Sequence, residues 1–448
     1  MSNSVYRLWW LNPVWLFAAV TGSTMLTALL QSERMYQQYG TLKYIEGEHF
    51  LFALLAIIAF GLGGWIATSS GNSPAPHTSV RMVRFWFWLT FGLCIFGYTV
   101  WAGVGIKNGV SFEMLDDLIS AADTYAAEET VRKELFPTIP GVTTCTQFGV
   151  TAVLLGLWLY IRGDRSVIGP IIVIAGLALI RAFLWRERTA LLAFAIPGFA
   201  IWLRAYVLVR SPTPLVRVAL QLAPVFGVVG LLAFFGIFEY FRSWRIYQGE
   251  FDSYAEFILW RVGGYFTTAH NNGAMALEMQ RPLPLPYWTL QPLWEFPGMR
   301  ESSFSYHALT GVDPAAVHVD MLMNYGTVEY NNEGGLFTPF LDYGFLGYLA
   351  FWLASGFVAG KLYRSFLAGT LVGLTIYPIA FLTILNSPLI IFVFFPAAFP
   401  FVAALLLVAW LANRQPTQAT DESAVPLRSP GMTARETVVN GHFSPTRI

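Results

Sequence analysis

The segment FLWRERTALLAF, residues 183–194, places Arg186 and Arg188 on either side of Glu187, directly before a long apolar stretch. Guanidinium groups stay charged at physiological pH and donate paired hydrogen bonds that match the oxygens of a phosphate. The free N–H groups at the start of the helix predicted from Thr189 would bind the same anion. This pattern predicts a phosphate site, against the alternative of two arginines that reach lipid headgroups with Glu187 as their partner.

Residues 251–280 are predicted to form one helix that carries several polar side chains. Arg261 is a further cation for a phosphate, His270 can accept a proton, and Asn271 can bind a sugar hydroxyl. The same pattern is also typical of an amphipathic helix on the membrane surface, with Arg261 among headgroups and His270 solvated. Both interpretations remain open from the residues alone.

The stretch RPLPLPYWTLQPLWEFPG, residues 281–298, cannot form a regular helix because of its prolines. Trp288 and Trp294 within it are candidates for stacking on the apolar faces of sugar rings. Aromatic residues are also common at membrane interfaces without any ligand, so the stacking role is one of two interpretations.

Four residues are candidates for the proton acceptor of a reaction: His270, His318, Glu333 and Asp342. Asp342 lies early in an apolar segment, where a carboxylate without a partner is costly. The residue types do not choose among the four. No spacing of ligand residues matches a zinc motif, so the sequence predicts no metal site.

The elements that must position these residues are membrane helices. Of the 448 residues, 12% are charged and 55% are hydrophobic, whereas soluble proteins carry roughly 25% charged residues. The zero net charge does not indicate nucleic-acid binding. The predicted fold is all-α, a polytopic membrane helical bundle with about ten spans of about 20 residues each. These fall at residues 12–31, 48–68, 84–106, 143–162, 167–184, 189–208, 216–239, 336–360, 366–385 and 388–412.

The basic residues of the short loops predict the orientation. Arg84, Arg162, Arg204, Lys361 and Arg414 fall on one side if every segment crosses. That side is predicted to be the cytoplasm, so both termini are cytoplasmic. The predicted division is a seven-span bundle over 1–239, an extracytoplasmic loop with amphipathic helices over 240–335, a three-span bundle over 336–412 and a disordered cytoplasmic tail over 413–448.

Two features together resemble the oligosaccharide repeat-unit polymerases, the O-antigen-polymerase-like family. One is the outward arginine pair that opens a span in WRERTALL, and the other is the pattern over residues 332–347, which contains LDYG. The long outer loop expected in this family lies between them. The resemblance covers most of residues 180–366.

The resemblance implies a membrane-embedded glycosyltransferase of the C-type, which joins saccharide units carried on undecaprenyl diphosphate outside the bacterial cytoplasmic (inner) membrane. The family's diphosphate-binding arginines correspond here to Arg186, Arg188 and Arg261. A loop histidine of the related ligases corresponds to either His270 or His318. The implied partners are an undecaprenyl-diphosphate-linked oligosaccharide, membrane lipids and a chain-length regulator, with no cofactor and no nucleic acid.

Other classes of protein remain open from the residues. A transporter or flippase of a lipid-linked saccharide would have broken helices, and Pro197 and Pro378 interrupt predicted spans. A transferase to a different acceptor, such as a lipid core, a protein or a wall polymer, would use the same residues. The polar groups gathered outside the spans argue against the transporter, and the long outer segment with its aromatic residues argues against a purely structural membrane component.

Overall fold

The computed structural model describes residues 7–69, 78–111, 113–114, 130–185, 189–210, 212–280 and 282–414. Within these ranges every regular element is helical and no strand occurs. Six helices are long and apolar enough to cross a membrane, or seven if a bent pair of helices counts as one span. The described chain is therefore a helical bundle of the membrane type, while the number of about ten spans stays a prediction.

Most of the predicted apolar segments correspond to helices. The helices are α1 (Pro13–Leu30), α2 (Glu33–Gln38), α3 (Gly47–Ser69), α4 (Val80–Lys107), α5 (Phe148–Ile161), α6 (Ile168–Leu184), α7 (Thr189–Trp202), α8 (Pro214–Gln221), α9 (Ala223–Glu239), α10 (Tyr254–Met279), α11 (Pro314–Tyr325), α12 (Thr338–Ala368), α13 (Leu371–Asn386) and α14 (Phe399–Arg414). The bent pair is α8 with α9, and α13 and α14 are shorter than the spans predicted there. The predicted tail beyond residue 414 lies outside the described residues.

Helices α3 and α12 cross at a pair of glycines. A Cβ atom on Gly63 would lie 2.0 Å from the carbonyl oxygen of Leu353, and one on Gly356 would lie 2.0 Å from that of Phe60. Real atoms do not approach so closely, so these two backbones can touch only where both helices carry glycine.

One end of the bundle gathers basic residues that the sequence assigns to a single side. Arg84 pairs with Asp164 at 2.9 Å, and Arg364 donates a hydrogen bond to the carbonyl oxygen of Ala67 at 2.9 Å. Arg204 donates to the last carbonyl groups of α12. These contacts join the end of α12 to the end of α3 and to the segment after α7, and the start of α4 to the loop between α5 and α6.

Helix α10 lies inside the protein, at the opposite end of the bundle. Its first turn is capped by Ser253, whose side chain accepts a hydrogen bond from the N–H of Glu256 at 3.2 Å. Arg261, His270 and Asn271 have no exposed surface, and the helix packs against α1, α9 and α12. The alternative of an amphipathic helix with a solvated His270 therefore does not hold for α10.

Residues 282–326 form a small folded unit on α10. Tyr287, Trp288, Tyr306 and Met321 are buried together in its core, against the end of α10. The proline-rich stretch is thus tied down by its aromatic residues, although it has no long helix of its own.

Replacing Gly356 by valine should lower the unfolding temperature of the purified protein in detergent, because the new side chain must displace the Phe60 backbone. Overpacking of this kind costs about 1–3 kcal/mol or more. Gly230→Val is the matched control, since a Cβ atom there meets nothing within 4 Å. Equal unfolding temperatures for the two variants would contradict the close crossing of α3 and α12.

Candidate functional site

The chain segment 329–335 is held in place by buried side chains. The carboxylate of Glu329 accepts a hydrogen bond from Arg261 Nη1 at 2.6 Å, and the Tyr247 hydroxyl lies 2.7 Å from one of its oxygens. Arg261 also pairs with Glu239 on α9, with 3.3 Å between Nε and Oε2. Arg261 therefore joins α9, α10 and the start of this segment through opposite charges.

The next three residues of the segment are held by their carbonyl groups. Asn272 donates to the carbonyl oxygens of Tyr330 at 2.7 Å and Asn332 at 3.0 Å. His318 donates from Nε2 to the carbonyl oxygen of Asn331 at 3.3 Å. Burial lowers the pKa of His318, so the ring is neutral near pH 7 and acts here as a hydrogen-bond donor. Each backbone position from 330 to 332 thus has a partner on α10 or α11.

Two glycines also allow segment 329–335 to pack closely against its neighbours. Gly334 has a φ of 74°, and a Cβ atom on it would lie 2.4 Å from the carbonyl oxygen of Ala269 on α10. The N–H of Gly335 donates to the carbonyl oxygen of Leu389 at 3.0 Å. The segment is therefore wedged between α10 and the chain that follows α13, where a larger residue would separate them.

Glu333 points from this clamped segment into a narrow cleft. The cleft is lined by Trp288, Gln291, Thr338 and residues 390–395 and has a volume of about 20 Å³, enough for one water molecule or one hydroxyl group. Among the residues described, no lining side chain other than Glu333 is charged. Burial among these uncharged groups raises the pKa of Glu333 to about 7. Such a carboxyl group can exchange a proton near neutral pH, as a general base must.

An apolar groove meets the Glu333 cleft on one side. It lies between α12, α13 and α14, has a volume of about 460 Å³, and shares Ile391 and Phe394 with the cleft. Along α12 it extends from Phe351 to Leu362, about 16 Å at the rise of an α-helix. Its walls are almost entirely hydrocarbon, so its length and polarity fit a lipid tail.

A second groove, the amphipathic groove, begins beside the same cleft. The cleft residues Gln291 and Phe395 are followed in the chain by Pro292 and Pro396, which line this groove. It lies between α4, α14 and residues 292–301 and has a volume of about 840 Å³. The two grooves therefore lie on either side of residues 391–396.

The ends of the amphipathic groove differ in polarity. Its apolar end is formed by Trp86 and Leu93 of α4 with Leu407 of α14. The polar end is lined by Thr143, Thr144, Gln147, Arg181, Glu295, Arg300 and Glu301. Its described charged residues are two arginines and two glutamates, so the groove fits a lipid that carries a polar head group.

Arg181 lies at the polar end of the groove, near the end of α6. Its guanidinium group lies 4.3 Å from the centre of the Trp185 ring, and that of Arg132 lies 5.6 Å from the same ring. Arg186 and Arg188, the predicted diphosphate ligands, lie outside the described residues. Arg132 and Arg181 nonetheless place two cations at the end of α6.

The structure places His270 and Asn271 away from the cleft and the two grooves. The Nε2 atom of His270 is hydrogen-bonded to the Thr24 hydroxyl of α1 at 2.9 Å. The side-chain oxygen of Asn271 accepts hydrogen bonds from the N–H groups of Tyr44 at 2.7 Å and Ile45 at 3.2 Å. In this structure both side chains hold α1 and the loop before α3 against α10.

The carboxylate of Asp342 is surrounded by donors. It accepts hydrogen bonds from the N–H groups of Tyr287 at 2.8 Å, Trp288 at 3.1 Å and Thr289 at 2.7 Å, and from the Thr289 hydroxyl at 2.7 Å. These partners explain how a carboxylate is tolerated in the first turn of α12. They also occupy the oxygens that would otherwise accept a proton from a ligand.

Of the two predicted sugar-stacking residues, Trp288 borders the candidate site. Its ring lines the Glu333 cleft and meets the His318 ring edge-on, with 5.8 Å between centroids. Trp294 instead donates from its indole to the carbonyl oxygen of Pro286 at 2.9 Å. Trp294 is thus part of the folded unit formed by residues 282–326, called the outer unit below, and it lines neither the cleft nor the two grooves.

Sequence reasoning left Arg181, Glu239 and Asn272 out of the site. Arg181 gave a signal, because a charge inside an apolar segment is rarely placed there without a partner or a ligand. Asn272 gave one as the second of two adjacent amides near His270, which suited a sugar site. Glu239 gave none, since its partner Arg261 is distant in the chain and becomes a neighbour only when the helices pack.

No family model, curated protein or solved structure matches this chain. The fold and the site together define a helical membrane protein with a half-buried carboxyl group between two grooves of lipid size.

Replacing Arg261 by methionine should strongly lower the unfolding temperature in detergent, because the buried carboxylate of Glu239 then loses this cation. Removing one partner of a buried ion pair costs about 3–5 kcal/mol. Arg300→Met is the control: Arg300 pairs with Glu295 at 2.7 Å but is 65% exposed, and such pairs contribute about 0–1 kcal/mol. Similar losses in both variants would contradict the structural role of Arg261.

Proposed function

We propose that the protein is a membrane glycosyltransferase that joins undecaprenyl-diphosphate-linked saccharide units into a surface polysaccharide on the outer face of the cytoplasmic membrane. The observation that carries the proposal is the position of the Glu333 carboxyl group, where an apolar groove and an amphipathic groove meet. A reaction between two lipid-linked substrates needs room for two hydrocarbon chains and a proton acceptor between their head groups.

The donor is assigned to the amphipathic groove. Its tail would lie along α4 and α14, and its diphosphate at the polar end near Arg181. Arg186 and Arg188 follow Arg181 closely in the chain and are the proposed further ligands. Guanidinium groups at this position would stabilise the negative charge that develops on the leaving diphosphate.

The acceptor is assigned to the apolar groove, with its hydroxyl group at Glu333. The hydroxyl oxygen attacks the anomeric carbon of the donor sugar and forms the new C–O bond. The bond from that carbon to the diphosphate oxygen breaks, and its electron pair leaves with the diphosphate. The hydroxyl proton passes to the carboxylate of Glu333, a contribution of typically 10²–10⁴-fold for a general base.

Arg188→Ala should abolish the lengthening of product in membranes supplied with lipid-linked donor, while expression stays normal, because the leaving diphosphate loses a ligand. Arg188→Lys should also be impaired, since an ammonium group cannot replace the planar fork of a guanidinium. Product ladders of normal length from either variant would contradict the proposal. In proteoliposomes with radiolabelled donor, product of higher mass supports an enzyme, whereas movement of intact donor across the bilayer supports a flippase.

The transfer rate should rise with pH through about 7 and level off above it, because Glu333 must be ionised to accept the proton and its pKa is raised to about 7. Glu333→Gln should lose activity by about 10²-fold or more above pH 7, where the wild-type carboxyl group is ionised, and its residual rate should not rise through pH 7. Glu329→Gln is the control for a nearby carboxylate, and any activity it retains should keep the wild-type pH profile. A Glu333→Gln enzyme with wild-type rates would exclude Glu333 as the base.

A further inference from the structure

The carboxylate of Asp342 binds the backbone of the turn formed by residues 287–289. Asp342 is 6% exposed, and its oxygens accept three backbone N–H groups and one hydroxyl from this turn. The Tyr343 hydroxyl is hydrogen-bonded to the same Thr289 hydroxyl at 2.6 Å. The N–H of Leu283 donates to the carbonyl oxygen of Leu341 at 2.9 Å. The start of α12 therefore holds the outer unit at several consecutive residues.

The start of α12 is separated from the rest of that helix by a break. Gly344 has a φ of 67° and a ψ of −173°, which is not helical. The turn that carries Asp342 can thus take its direction from the outer unit, while the remainder of α12 packs against α3. This break is what allows a residue of a spanning helix to hold an outer loop.

Trp288 lies between Asp342 and Glu333. Its backbone N–H is bound by Asp342, and its side chain forms a wall of the Glu333 cleft. The indole is 8% exposed and packs edge-on against His318. Moving the backbone of Trp288 would withdraw this wall and admit water to the carboxyl group.

We propose that Asp342 is a positioning residue that holds Trp288 over the Glu333 cleft and so limits the access of water to the half-buried Glu333 carboxyl group. The inference rests on the proposed function for its role in transfer, but the cleft itself can be tested without any substrate. The residues that line the cleft with Glu333 are Trp288 and Gln291 of the outer unit, Thr338 of α12, and Ile390, Ile391, Phe394 and Phe395, and none of these is charged.

Two titratable groups contact the walls of the cleft without lining it. His318 meets the Trp288 ring edge-on, and Asp342 accepts hydrogen bonds from the backbone of the 287–289 turn. Because no charge faces Glu333 across the described cleft, partial loss of hydration is the main cause of its raised pKa. Admitting water must then move its titration towards the ordinary value of a glutamate.

The test is an infrared pH titration of the purified protein, in which the protonated-carboxyl band of Glu333 is identified by its loss in Glu333→Gln. The wild-type band should titrate near pH 7. Asp342→Asn and Trp288→Ala should both move it down by about one unit or more, a tenfold change in the ionisation constant. Trp288→Phe, which keeps an aromatic wall, should stay near the wild-type value.

Glu295→Gln is the matched control for general damage to the outer unit. Glu295 accepts a hydrogen bond from the Tyr287 hydroxyl at 2.7 Å but does not bind the backbone of the turn, so its variant should leave the titration unchanged. An unshifted band in folded Asp342→Asn would overturn the proposal. If that variant does not fold, an unshifted band in Trp288→Ala would overturn it instead.

Activity separates this inference from the proposed function. In the transfer assay, Asp342→Asn should lower the pH at which the rate reaches half its maximum, in parallel with the infrared shift. A shift of the band in a protein that transfers no sugar would support the positioning role and reject the proposed function. A wild-type band already at the ordinary glutamate value would reject the closed cleft.

Discussion

The burial of polar side chains along α10 is the constraint on which the rest of the site depends. A buried cation or amide is tolerated only when its hydrogen bonds are satisfied, and α10 satisfies its own with outer loops. Arg261 holds Glu329, Asn272 holds the two carbonyl groups around Asn331, and Asn271 holds the loop before α3. The helix thus fixes the backbone that presents Glu333 without itself reaching the cleft or the grooves.

The sequence was sufficient for the helical membrane class and for the existence of α10, because long apolar runs and a capped polar helix are local signals. It also named Glu333 and Asp342 among four candidate proton acceptors, together with His270 and His318. It could not separate their roles, since these depend on which neighbours arrive from elsewhere in the chain. Asp342 meets three N–H groups, whereas Glu333 meets uncharged side chains. The identity of a residue predicts that it can exchange a proton, and packing decides whether it does.

The arginines near the predicted outer end of the bundle also have roles that residue type alone does not predict. Arg261 was a candidate phosphate ligand by residue type, yet its charge is balanced by Glu239 and Glu329. Arg181 was not selected, yet it lines the polar end of a groove. An arginine with buried carboxylates as partners adds mainly to folding, because a phosphate would have to displace them. An arginine on a cavity wall can add to ligand binding.

The position of the two grooves explains the break between α13 and α14. Residues 387–398 leave the α-helical path between two apolar helices, and irregular backbone at membrane depth is tolerated only where it is buried or lines a cavity. Here it does both: the carbonyl oxygen of Leu389 accepts the N–H of Gly335, and residues 391–396 separate the two grooves. A continuous helix could supply neither the hydrogen bond nor the narrow partition. The irregular segment is therefore the element that lets two lipid-sized spaces approach one carboxyl group while remaining separate along the rest of their length.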